Sequence, residues 1–110
     1  MPAKSPTSAL LVLCTCPDAA VAATIGRVLV EQRLAACVNV HGNVQSIYRW
    51  HDEIAEDTEA LMVIKTTAKR YPAVERLIIE QHPYELPEII AVPIERGFRQ
   101  YMAWIEDSTS

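Results

Sequence analysis

The sequence predicts an α+β domain of split β-α-β type, and three observations carry that expectation. Apolar runs of strand length and apolar stripes at helical spacing follow one another as strand, helix, strand, strand, helix, strand, with one more helical stripe at the end. The two consecutive strands are long and meet at a polar turn, His51-Asp52-Glu53. Pro93 stands inside the last strand, where a proline is tolerated only on a sheet edge.

Residues 1–8, with two prolines, a lysine and several hydroxyl side chains, have little to bury and are expected to form a flexible tail. Ala9-Leu10-Leu11-Val12-Leu13-Cys14 is a continuous apolar run, expected as a central strand covered on both faces or lying deep against helices. Thr15-Cys16-Pro17-Asp18 reads as a turn, with the Asp18 carboxylate placed to accept from a free first-turn amide of the next helix. That helix is amphipathic: Val21, Ile25, Val28 and Leu29 share a stripe, and Arg27, Glu31 and Gln32 lie off it. Ala35 to Val40 is the second strand, and Gly42-Asn43 marks a bend or bulge. From Val44 the period is two, with Val44, Ser46, Tyr48 and Trp50 on one face and Gln45, Ile47 and Arg49 on the other. The chain returns through Leu61 to Thr66, and the acidic stretch from Glu53 to Glu59 makes the pair a long, solvated β-ribbon. Pro72 belongs in the first turn of the second helix, where its missing amide costs little. The stripe Val74, Leu77, Ile78 ends at His82, because Pro83 disfavours helical geometry there, and Pro87 biases Leu86 toward extended structure. The fourth strand is read from Ile89 to Ile94. Beyond Gly97, Phe98, Tyr101, Met102 and Ile105 give a terminal helix with Trp104 beside the stripe. Together these elements make a ferredoxin-like βαββαβ sandwich with an added C-terminal helix, one domain over residues 9–106 and a short tail at 107–110.

Composition narrows the function. A 110-residue chain, half hydrophobic and with a net charge of −4, is one soluble domain without the basic face that nucleic acid requires. No stretch approaches the roughly 20 apolar residues of a membrane helix, and the apolar run before Cys14 is too short for a signal peptide. Three cysteines, an odd number, fit a reducing, cytoplasmic setting better than a disulfide framework. The three glycines stand alone, so no phosphate-cradling loop is present.

Candidate site residues gather at two places. His82-Pro83-Tyr84-Glu85-Leu86-Pro87-Glu88 holds an imidazole, a phenol and two carboxylates in a stiff backbone, with Glu85 and Glu88 expected to orient the His82 ring. Cys14 and Cys16 lie two apart and share a face if the strand stays extended, and thiolates favour soft metals such as Cu(I) over magnesium or calcium. A buried free cysteine is equally an ordinary small hydrophobe, and Cys37, in mid-strand, reads as core. His41 and His51 read as loop and arm-tip residues. Tyr48, Arg49, Trp50, Lys65, Tyr84, Glu85 and Glu88 either line a small-ligand cleft between subunits or form subunit contacts, aromatics and arginine being common at interface centres.

Four motifs in this order, Leu34-Ala35-Ala36-Cys37-Val38-Asn39, Ser46-Ile47-Tyr48-Arg49-Trp50, Ile64-Lys65-Thr66-Thr67 and His82-Pro83-Tyr84-Glu85-Leu86-Pro87-Glu88-Ile89, resemble the CutA divalent-cation-tolerance family from Ala9 to Ile105. The resemblance implies a cytosolic homotrimer of ferredoxin-like subunits, similar in architecture to the PII signalling proteins and able to bind copper and other divalent metals, with no catalytic activity attached. Metal sites in the family combine a first-strand cysteine with a histidine pair, positions that fall on Cys14, Gln81 and His82 here, so one ligand is replaced. The turn after the tryptophan, usually Glu-Gly-Lys, is His51-Asp52-Glu53. Three function classes follow: a trimeric metal-binding tolerance protein, a PII-like module binding a small ligand between subunits, and a cysteine-histidine hydrolase. The last lacks a nucleophile turn or an oxyanion site, and the acidic arm tip, Asp52, Glu53 and Asp57, repels the phosphate that the second would bind. A non-enzymatic metal-binding trimer, with Cys14 and His82 as ligands and metal ions as its partners, is therefore the leading expectation.

Overall fold

A computed structural model describes residues 8–110; the expected N-terminal tail lies outside them except for Ser8, whose carbonyl accepts the Ala68 N–H. The elements come in the expected order: β1 (Ala9–Cys16), α1 (Ala19–Glu31), β2 (Cys37–Trp50), β3 (Glu53–Thr67), α2 (Tyr71–Gln81), β4 (Ile90–Pro93) and α3 (Arg99–Ser108). The four strands form one antiparallel sheet in the order β2-β3-β1-β4.

β1 is central, and it alternates. Val12, Cys14 and Cys16 are buried in the core made with Ile25 and Leu29 of α1 and Val74 and Ile78 of α2. Leu11, Leu13 and Thr15 are half-buried on the opposite face, so α1 and α2 cover one face of the strand and not both. The strand also runs two residues beyond Cys14. Thr15 pairs with Leu61 and Cys16 with Ala60, so Cys16 belongs to the strand rather than to a turn. β3 supplies backbone partners that far, and the chain turns at Pro17 and Asp18. The Asp18 Oδ1 accepts the Val21 N–H at 2.9 Å, as a helix cap should. Gly26 lets α1 approach β2 closely, since a Cβ there would sit 3.0 Å from Val38 Cγ1.

β2 and β3 pair from Cys37↔Lys65 to Trp50↔Glu53, with a register irregularity between His41 and Val44 where Gly42-Asn43 falls. His41, expected in a loop, is a strand residue opposite Leu61. The pairing of β1 with β3 stops at Ala60, so Glu53–Glu59 and their β2 partners project as a two-stranded ribbon. It ends in a turn at His51 and Asp52, both with positive φ, and stretches the molecule to 49 Å.

α2 carries Pro72 in its first turn and stops at His82, whose φ of −82° and ψ of 136° are extended while its N–H still bonds the Ile78 carbonyl. β4 is shorter than the predicted 89–94. It pairs with Leu10–Leu13 of β1 and lies at the sheet edge, as Pro93 required. α3 runs past residue 106, and Thr109 is buried. Arg70 Nε donates to the Thr109 carbonyl at 2.6 Å and an Arg33 guanidinium N–H to the Asp107 carbonyl at 2.9 Å, cations placed on the free carbonyls of a helix C-terminus. Residues 107–110 are thereby docked on the domain and are not a loose tail. Ile105 of α3 packs with Ala9 and Ala36 in a second, smaller core.

The buried Thr66 hydroxyl donates to the Leu34 carbonyl at 2.6 Å, joining β3 to the segment that follows α1. Thr66→Val keeps the shape and removes the donor, so it should cost about 1–3 kcal/mol in urea denaturation. Thr24→Ala, at an exposed helical hydroxyl, should stay within about 0.5 kcal/mol.

Candidate metal centre

Two elements bring three ligand-bearing side chains together. Cys14 and Cys16 project from the same face of β1 into the helix layer, and His82 enters the same space from the end of α2, held extended by Pro83. The two sulfurs and one ring nitrogen of His82 all lie within 4.8 Å of one another, with Cys14 and Cys16 fully buried and His82 8% exposed. Metal–sulfur bonds of about 2.3 Å and metal–nitrogen bonds of about 2.0 Å keep the donors of one ion within about 4.6 Å of each other. A shared ion would therefore draw these atoms in by less than about 1 Å. The residues present fit a small metal ion.

The imidazole is held on both sides. The Tyr84 N–H donates to Nδ1 at 3.1 Å, which places the ring proton on Nε2, and Nε2 donates to the Thr15 carbonyl at 2.7 Å. Glu85 and Glu88, expected to orient the ring, make neither contact; backbone groups do it instead. Glu88 accepts from the Thr15 hydroxyl at 3.4 Å on the outer side of β1. Between the sulfurs, the Cys14 thiol is pushed up, first by its hydrogen bond to Cys16, then by burial and by the nearby charges of Cys16, Glu88 and Glu59. The Cys16 thiol is pulled down by the hydrogen bond from Cys14. The Cys14 sulfur itself lies 3.8 Å from the Thr15 carbonyl, the same group that His82 meets.

An open cleft of about 760 Å³ lies on the other side of the His82–Glu88 segment. Six of the predicted residues line it: Tyr48, Arg49, Trp50, Tyr84, Glu85 and Glu88. Lys65 does not join them; its ammonium is bonded to Asn39 and lies 3.9 Å from the Cys37 sulfur, on the ladder between β2 and β3. His82 also stands apart from the cleft, turned inward against β1. Cys37 is half-buried rather than core, and His51 sits at the exposed ribbon tip.

Cys16, given turn composition by the sequence and a place beside Cys14 only if the strand stays extended, does share that face, because β1 pairs through Cys16. One residue escapes the sequence reading. Glu59, read as part of a solvated arm, is 8% exposed and accepts the Tyr84 hydroxyl at 2.6 Å. Burial, followed by this bond and the Glu59 charge, pushes the Tyr84 phenol well above its ordinary range. With Asp57 and Glu59 added to Glu85 and Glu88, the cleft presents four carboxylates against the one guanidinium of Arg49.

The sequence matches the CutA1 divalent ion tolerance protein family over residues 10–108. A divalent-cation tolerance protein CutA of Thermus thermophilus is 46% identical, covering 90% of this chain and 96% of its own. A solved structure of a divalent cation tolerance protein from Thermus thermophilus superimposes with a TM-score of 0.90 at 45% identity, over 93% of this chain and 99% of that one. Protein CutA of the mouse is 44% identical over 94% of this chain, which spans 59% of the mouse protein's length. A structure from Archaeoglobus fulgidus, described as a periplasmic divalent cation tolerance protein CutA, gives a TM-score of 0.90 at 32% identity, covering 93% of this chain and 99% of that one. Because the match runs from the first strand through the last helix and the fold follows it throughout, the chain belongs to the CutA1 divalent ion tolerance protein family.

Proposed function

We propose that this chain is a non-enzymatic, homotrimeric metal-binding protein of cation tolerance, taking a divalent ion, copper foremost, at Cys14 and His82. The convergence of their ligand atoms within 4.8 Å in the core is the observation that carries this reading. Freeing a ring nitrogen of His82 costs one buried hydrogen bond, about 1–3 kcal/mol, whereas thiolate and imidazole sites bind structural zinc with about 10–16 kcal/mol. No catalytic role is assigned, because both ring nitrogens of His82 are committed to backbone partners and leave no free base beside the thiols. The three free cysteines favour a reducing compartment, the cytoplasm. No helix of the described residues is long and apolar enough to cross a membrane.

Assembly is argued from surface the monomer leaves open. The ribbon exposes Ile47 (66%) and Ile54 (61%), with Tyr48 and Trp50 beside them, and a bare two-stranded ribbon is at best marginally stable in water. The sheet face opposite α1 and α2 leaves Leu11, Leu13 and Val63 half-buried, and β4 exposes Ile90 and Val92. Closed symmetry buries such edges and faces together. A second reading, a PII-like module with a small ligand in the interface cleft, draws on the cleft itself; its four carboxylates favour a cationic ligand over a phosphate.

Sedimentation should show a trimer at micromolar concentration, and Trp50→Glu should shift it toward monomer; a stable wild-type monomer would remove the assembly from the proposal. Copper titration should lose binding in Cys14→Ser and His82→Ala and keep it in Cys37→Ser and His51→Ala. Equal binding in all four would discard the site. Since ligating groups must shed protons, affinity should fall as pH is lowered.

A further inference from the structure

We infer that Cys16 is the third donor of this centre, making it a site of two sulfurs and one nitrogen that selects monovalent copper over divalent ions. The inference rests on the reading of Cys14 and His82 as ligands above and departs from it in the charge of the ion, monovalent in place of divalent. Its first ground is the strand. Cys14 and Cys16 are alternate residues of β1, locked into pairs with Met62 and Ala60 of β3, so both sulfurs point into the same pocket. At about 3.3 Å per residue their Cα atoms are about 6.6 Å apart, near the upper limit of about 6.8 Å for a disulfide, and their side chains run parallel instead of facing each other. Such a pair stays as two thiols, and one ion can bridge them.

Donor count and closure supply the second ground. Among the described residues the three converging ligand atoms are two sulfurs and one nitrogen, with no carboxylate in the group. The acidic groups whose charges reach the thiols are engaged elsewhere, Glu59 by the Tyr84 hydroxyl, Glu88 by Thr15 and Asp18 by the Val21 N–H. Gln81, the residue before His82, is exposed at the end of α2. Both cysteines are fully buried, in one hydrophobic cluster with Ala22, Ile25, Met62 and Ile78. Zinc prefers four donors in a tetrahedron, and the described residues bring three together here. Three donors, two of them soft sulfurs, suit Cu(I). On binding, each participating thiol exchanges its proton for the ion and releases that proton to solvent.

The test uses the full chain under anaerobic, reducing conditions with Cu(I) presented from a chromophoric chelator, and Zn(II) in parallel. The wild type should bind one Cu(I) per chain, and X-ray absorption on that complex should report two sulfur scatterers and one nitrogen. Cys16→Ser should weaken Cu(I) at least about tenfold, as loss of a ligand requires, while moving Zn(II) less; Cys37→Ser should change neither. One sulfur in the absorption spectrum, or Cu(I) affinity unchanged in Cys16→Ser but lost in Cys14→Ser, overturns the role of Cys16 and leaves the metal-binding reading standing. Failure of the wild type to bind either ion overturns both. The spectrum is taken on wild-type protein, so the outcome does not depend on a variant folding.

Discussion

β1 is held between two antiparallel neighbours, β3 along its whole length and β4 over Leu10–Leu13, and most of the remaining structure takes its position from that pairing. The ladder with β3 keeps the strand extended as far as Cys16, so its side chains alternate without a break. Val12, Cys14 and Cys16 therefore meet α1 and α2, while Leu11, Leu13 and Thr15 are left on the open face. A slip of one residue would invert both sets. The same backbone receives His82, whose Nε2 donates to the Thr15 carbonyl, so strand geometry and site geometry are one constraint.

That hydrogen-bonded resting state says something about how the centre works. A histidine bonded at both ring nitrogens is stable without a ligand. Among the described residues no buried polar side-chain atom lacks a partner, so the fold does not need metal to satisfy itself. An ion must compete for the ring against the Thr15 carbonyl or the Tyr84 N–H, which raises the threshold for binding without preventing it. Pro83 limits how far the ring can swing, so little ordering remains when a ligand arrives.

The ribbon poses the opposite problem. Its strands bond only to each other, and beyond Ala60 no third strand or helix among the described residues covers it, so its outer edges and large apolar side chains face water. Buried Glu59, with its Tyr84 partner, marks where the ribbon leaves the domain. The acidic cleft beside this root is bounded by ribbon residues on one side and by the Pro83–Glu88 segment on the other.

Much of this was legible in the chain itself. Element order, the edge position of β4 and the stop at His82 follow from local rules, because period, proline chemistry and capping act within a few residues of the side chain concerned. Cys14 and His82 were singled out by residue type together with the family resemblance, and six of the seven cleft residues by their motifs. What the sequence could not settle is how far β1 extends, since Thr15-Cys16-Pro17-Asp18 has turn composition and only pairing with Leu61 and Ala60 keeps its first two residues in the strand. On that depended the place of Cys16 beside Cys14. The separation of Lys65 from the cleft, the burial of Glu59 and the docking of residues 107–110 by Arg33 and Arg70 were likewise decided by tertiary structure. Each is a contact between residues far apart in the chain, and no local pattern encodes which distant backbone group will be there to meet a given side chain.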